Sequence, residues 1–75
     1  MADELWRDPK AGDVLTMRDG RKRMVTYASA EFGVLTYRTP ARYRTECLYP
    51  TWITTARREG AKGGSYERPA KGAAT

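Results

Sequence analysis

The dipeptide Asp19-Gly20 lies between two runs of extended character, Asp13-Val14-Leu15-Thr16-Met17-Arg18 and Arg21 to Tyr27. Asp-Gly between such runs predicts a tight β-hairpin, because a two-residue type I′ loop needs positive φ at both central positions. With that loop Arg18 opposes Arg21, Met17 opposes Lys22, Thr16 opposes Arg23 and Leu15 opposes Met24. One face of the hairpin then carries Leu15, Met17 and Met24. The other carries Arg18, Arg21 and Arg23 near the tip, with Val14, Val25 and Tyr27 behind them.

A second hairpin follows. Ala28 to Gly33 reads as a connection, and Val34-Leu35-Thr36-Tyr37-Arg38 has the β-branched and aromatic composition of a strand. Thr39-Pro40-Ala41 is a turn, and Tyr43 to Leu48 forms the returning strand. A tight turn pairs Arg38 with Tyr43, Tyr37 with Arg44 and Leu35 with Glu46. After Pro50 the chain predicts a helix from Thr51 to about Glu59, with Thr51 as N-cap and Trp52, Ile53 and Ala56 on one face. Arg57 and Arg58 fall in its last turn and Gly60 at C′.

The expected organisation has three parts. Residues 1–12 are a polar lead-in whose large anchor is Trp6, residues 13–60 are one small β domain with the helix at about 51–59, and residues 61–75 are a disordered tail of small residues. The fold class is mainly β with one short C-terminal helix. Its four to five strands form a small curved antiparallel sheet or an SH3-like barrel. A chain of this length buries only about 60% of the surface it exposes when unfolded. The core available to it is Val14, Leu15, Met17, Met24, Val25, Val34, Leu35, Leu48, Trp52 and Ile53.

Charge matters here for its position. The chain has 14 Lys plus Arg against 9 Asp plus Glu, a net +5. Residues 18–44 hold seven basic residues against Asp19 and Glu31, so this third alone carries a net charge equal to that of the whole chain. Ten of the 14 are arginine, whose planar fork suits phosphate and carboxylate and stacks on aromatic rings.

Gly12-Asp13-Val14 followed by Arg18-Asp19-Gly20-Arg21 resembles the opening of small SH3-like nucleic-acid modules of the KOW type, over roughly residues 11–27. Residues 12–58 more broadly resemble the short, Arg-rich accessory proteins of bacteriophages and prophages, on Arg18-Asp19-Gly20-Arg21, Val34 to Arg38, Cys47 and Thr51-Trp52. Such proteins include regulators, nucleic-acid binders and inhibitors of host defence, so the second resemblance implies an origin more than an activity.

The candidate site is nucleic-acid-binding: Arg18, Arg21, Lys22, Arg23, Arg38, Arg42 and Arg44 tracking phosphates, with Tyr37 and Tyr43 as stacking surfaces. The chain has no histidine, which removes Ser-His and Cys-His dyads and His-containing zinc sites. Cys47 reads as a small buried hydrophobe, not a nucleophile. Its carboxylates are dispersed, without calcium-loop spacing. The expectation is a binder without catalytic residues, cofactor or metal. An acidic protein surface is the alternative partner, and a homo-oligomer built by edge pairing of the short strands is a third reading. Met1-Ala2-Asp3-Glu4 lacks the features of a secretion signal and no run reaches the ~20 apolar residues of a membrane span, so the expected location is the cytoplasm, that of the bacterial host if the chain is phage-encoded.

Overall fold

A computed structural model describes residues 5–41 and 44–69. Five strands follow one another as β1 (Val14–Thr16), β2 (Lys22–Ser29), β3 (Val34–Arg38), β4 (Arg44–Leu48) and, after the helix α1 (Tyr49–Ala61), β5 (Ser65–Glu67). They form one antiparallel sheet in the order β4-β3-β2-β1-β5. The sheet is open, so of the two architectures the sequence allows it is the curved sheet and not the closed SH3-like barrel. The helix leaves one edge strand, β4, and delivers the chain to the other, β5. It therefore crosses one face of the sheet, and that face is where the core sits.

Both hairpins are real, and both are one residue longer than expected. Met17 N–H donates to the Arg21 carbonyl (2.7 Å) and Gly20 N–H to the Met17 carbonyl (2.9 Å), which leaves Arg18, Asp19 and Gly20 in the loop. Gly20 has φ +95°, the left-handed conformation such a three-residue loop requires. The register becomes Val14 opposite Met24, Leu15 opposite Arg23 and Thr16 opposite Lys22. In the second hairpin Arg38 faces Arg44, Tyr37 faces Thr45 and Leu35 faces Cys47. Because side chains alternate, a one-residue slip exchanges faces. Arg23 moves to the helix side with Leu15 and Val25, and Met24 moves to the open side.

The buried apolar set is Leu15, Val25, Leu35, Trp52 and Ala56, with Trp6, Met17, Ala28, Tyr37, Cys47 and Tyr66 packed around it. Val14, Met24, Val34 and Leu48, expected in the core, occupy the opposite face; Met24 and Leu48 are exposed. Packing on one face only is common in antiparallel sheets. Trp6 folds back onto the core from a 3₁₀ turn at Leu5–Arg7.

The helix starts earlier than expected, with Leu48 as N-cap and Pro50 inside the first turn, where its missing N–H costs nothing. Gly60 stays within the helix, and the chain turns instead at Gly63 (φ +110°). The segment 61–69, expected to be part of a disordered tail, is structured: β5 pairs Ser65, Tyr66 and Glu67 with Thr16, Leu15 and Val14. The rest of that tail lies outside the described residues. Gly64 lets β5 reach β1, since a Cβ there would collide with the carbonyl oxygens of Thr16 and Glu59. Gly64→Ala is therefore expected to destabilise the fold by roughly 1–3 kcal/mol, the range of overpacking. The check is the urea midpoint, and an unmoved midpoint would show that β5 does not hold the sheet together.

Candidate nucleic-acid interface

The two hairpin tips lie side by side. Met24 of β2 faces Arg38 of β3, and Arg38 faces Arg44 of β4, so the β1–β2 and β3–β4 loops emerge at the same end of the sheet. The slipped registers decide which basic side chains meet there. Lys22, Arg38 and Arg44 share the open face by strand alternation, and all three are exposed. Among the described residues none of the three has an ion-pair partner. The carboxylates of this face are Glu46, opposite Thr36, and Glu67 on the far strand β5. Like charges directly opposite on neighbouring strands repel, so the Arg38–Arg44 pair is a local cost to the fold.

Arg21, Arg18 and Arg23 are already engaged. Arg21 Nε lies 2.8 Å from Asp19 Oδ2, and Arg21 N–H donates to Asp19 Oδ1 at 3.0 Å. That backbone hydrogen bond, reinforced by the guanidinium, holds the Asp19 carboxyl below its ordinary pKa. Arg18 N–H donates to Oε1 of the buried Glu59 at 2.9 Å, with its own Nε at 3.7 Å. Arg23, on the helix side, lays its guanidinium 4.9 Å from the centre of the Tyr37 ring. Tyr37 itself packs against Trp52, ring centres 5.5 Å apart. Its ring is thus occupied as a core contact and is not the free stacking surface the sequence suggested. Arg42 and Tyr43 lie outside the described residues.

Between the tips the structure opens two adjoining clefts. The larger, about 360 Å³, has Met17, Lys22 and Arg23 on one wall and Pro40 and Ala41 on the other. The smaller, about 220 Å³, lies over Val14, Met24 and Arg38 and shares Lys22 and Pro40 with the first. Met17 and Met24 read in the sequence as core residues and Pro40 as a turn residue, and no local pattern marks the three as lining clefts between two loops.

One buried polar cluster lies at the start of β1, at the end of that strand away from the hairpin tips. Asp13, fully buried, accepts hydrogen bonds from Tyr66 Oη (2.7 Å), Arg68 Nε (2.8 Å), Arg68 Nη2 (3.0 Å) and Lys10 N–H (3.0 Å). Trp52 Nε1 donates to Tyr66 Oη at 3.2 Å, which continues the chain into the core. Burial, with the Asp13 carboxylate adding to it against the opposing Trp52 bond, keeps the Tyr66 hydroxyl protonated far above the ordinary tyrosine range. The bond to Asp13 raises the pKa of Arg68. This cluster is structural, since every group in it is used.

Cys47 is a half-buried free thiol whose pKa burial raises, against the lowering influence of Arg23. That environment suppresses the thiolate, the reactive form. Among the described residues no group of three His, Cys, Asp or Glu is placed to hold a metal ion, and no helix is long and apolar enough to cross a membrane. The chain has no significant match to a protein-family model, to a curated protein or to a solved structure.

Proposed function

We propose that the protein is a small non-enzymatic module that binds nucleic acid through its phosphates, using the hairpin end of its open face. One observation carries the reading: Arg38 stands directly opposite Arg44, beside Lys22, exposed and without a carboxylate partner among the described residues. Such a pairing weakens the sheet when the protein is alone and becomes favourable when phosphate oxygens lie across it. Arg21 and Arg18, held by Asp19 and Glu59, shape the neighbouring tip more than they add charge to it.

A titration against DNA and RNA over a salt series tests this. Three phosphate contacts release enough counterions to weaken duplex binding roughly 40-fold, and single-strand binding about 20-fold, between 50 and 200 mM salt. Absent binding at low salt, or affinity that stays flat across the series, would sink the proposal.

The exposed Met24 and Leu48 on the same face favour a second reading, since methionine and arginine are enriched where proteins meet. In that case the face docks on an acidic protein surface, as an inhibitor or regulator of the phage type would. A null result on every nucleic acid, together with a single acidic partner recovered from lysate, is the outcome that selects it.

A further inference from the structure

The clefts between the hairpins are not needed to hold phosphates on an open face, and their lining has a different chemistry. The larger is lined by the apolar Met17, Pro40 and Ala41 and by the basic Arg21, Lys22 and Arg23. The smaller is lined by Val14, Met24 and Pro40 and by the basic Lys22 and Arg38. Lys22 lines both clefts, as does the Thr39-Pro40 turn, so its ammonium stands where the two meet. The larger volume, about 360 Å³, is at the low end of the ~300–1,000 Å³ typical of small-ligand sites, the scale of one base with its sugar. Methionine suits such a recess, because its polarizable sulfur packs well on aromatic rings.

We propose that the two clefts take two successive unpaired nucleotides of a single strand, with the phosphate between them on Lys22. One base rests on Met17, Pro40 and Ala41, the next on Val14, Met24 and Pro40. Arg23 and Arg38 flank the strand on either side. Arg23 is already braced by the Tyr37 ring, so little freedom is lost when it meets a ligand. A base in a duplex is stacked on both faces and paired at its edge, so it cannot enter either recess without being pulled out of the helix. An unpaired base enters at no such cost. The inference rests on the phosphate-binding reading above and adds the strandedness of the ligand.

Fluorescence anisotropy with a strand of about 12 nucleotides, within the span of single-strand sites, and with its blunt duplex provides the test. At equal salt the single strand is expected to bind at least about 10-fold more tightly than the duplex, the scale of one stacked base. Ala41→Glu, at an exposed loop position, puts a carboxylate at the larger cleft without touching the core. It should remove the preference for the single strand and leave the unfolding temperature unchanged. Met24→Glu, exposed on the open face, should act in the same way from the smaller cleft. Equal affinity for strand and duplex, or a preference that survives both substitutions, overturns the inference and leaves phosphate binding standing. Absence of binding to either nucleic acid, or binding to polyglutamate in their place, overturns both.

Discussion

Asp13→Asn is expected to destabilise the protein by about 3 kcal/mol, the low end of what removing one partner of a buried ion pair costs. The low end applies because Arg68 keeps some contact with water, its side chain about 32% exposed while that of Asp13 is fully buried. The substitution removes the charge that Arg68 grips through Nε and Nη2, and it puts an amide where Tyr66 Oη and Lys10 N–H now donate. For a chain this short the whole folding free energy is roughly 4–11 kcal/mol, so the loss is a large share of it. At about 4–8 °C per kcal/mol for domains of this size, the unfolding temperature should fall by roughly 12–24 °C. Thermal unfolding followed by circular dichroism measures it, and a fall under about 5 °C would show that the cluster is replaceable. Arg68→Met makes the complementary case, since it leaves the buried carboxylate without its cation. The double-mutant cycle of the two substitutions isolates the coupling between them. Arg68 also donates to the carbonyls of Leu5 and Asp8, so the pair ties the amino-terminal turn to β5 and both to the sheet.

The same pair explains what the sequence did and did not disclose. Asp19-Gly20 announced the first hairpin, and the β-branched and aromatic run Val34–Arg38 announced the second; both exist. Loop length was not legible, because Asp-Gly serves a two-residue and a three-residue loop equally well and only the hydrogen bonds at Met17 distinguish them. That single residue matters for the proposed function. Together with the matching slip in the second hairpin, it converts an expected row of tip arginines into Lys22, Arg38 and Arg44 on the open face, and it turns Arg23 inward onto Tyr37. β5 was invisible for another reason. Residues 61–69 are mostly small and polar, and their two anchors, Tyr66 and Arg68, find partners 53 and 55 positions away at Asp13. No local pattern reports a partner at that separation. Pro50 misled in a similar way, as a proline that ends a strand and one that opens a helix look alike until the helix axis is known.

Arg38 and Arg44 yield the other large effect, in which stability and binding are expected to move in opposite directions. Arg44→Glu sets a carboxylate directly opposite Arg38, replacing a repulsive cross-strand pair by an attractive one. The fold should gain up to about 1 kcal/mol. Nucleic-acid affinity should fall by about 10-fold, the low end of a charge-assisted hydrogen bond at an exposed site, and by about 100-fold when Arg38→Glu is added. Net charge changes as well, and a basic protein loses some affinity through that alone. Arg57→Glu controls for it: the charge change is the same, but Arg57 is exposed on the helix, which covers the opposite face of the sheet. If the face is the site, Arg57→Glu leaves binding within about 2-fold while Arg44→Glu does not, and the salt dependence of Arg44→Glu becomes shallower by roughly one counterion. Equal losses from the two variants would mean that affinity follows the charge of the whole molecule. A loss of stability in Arg44→Glu would mean that the opposed arginines are not held apart against repulsion, and the observation on which the proposed function rests would lose its force.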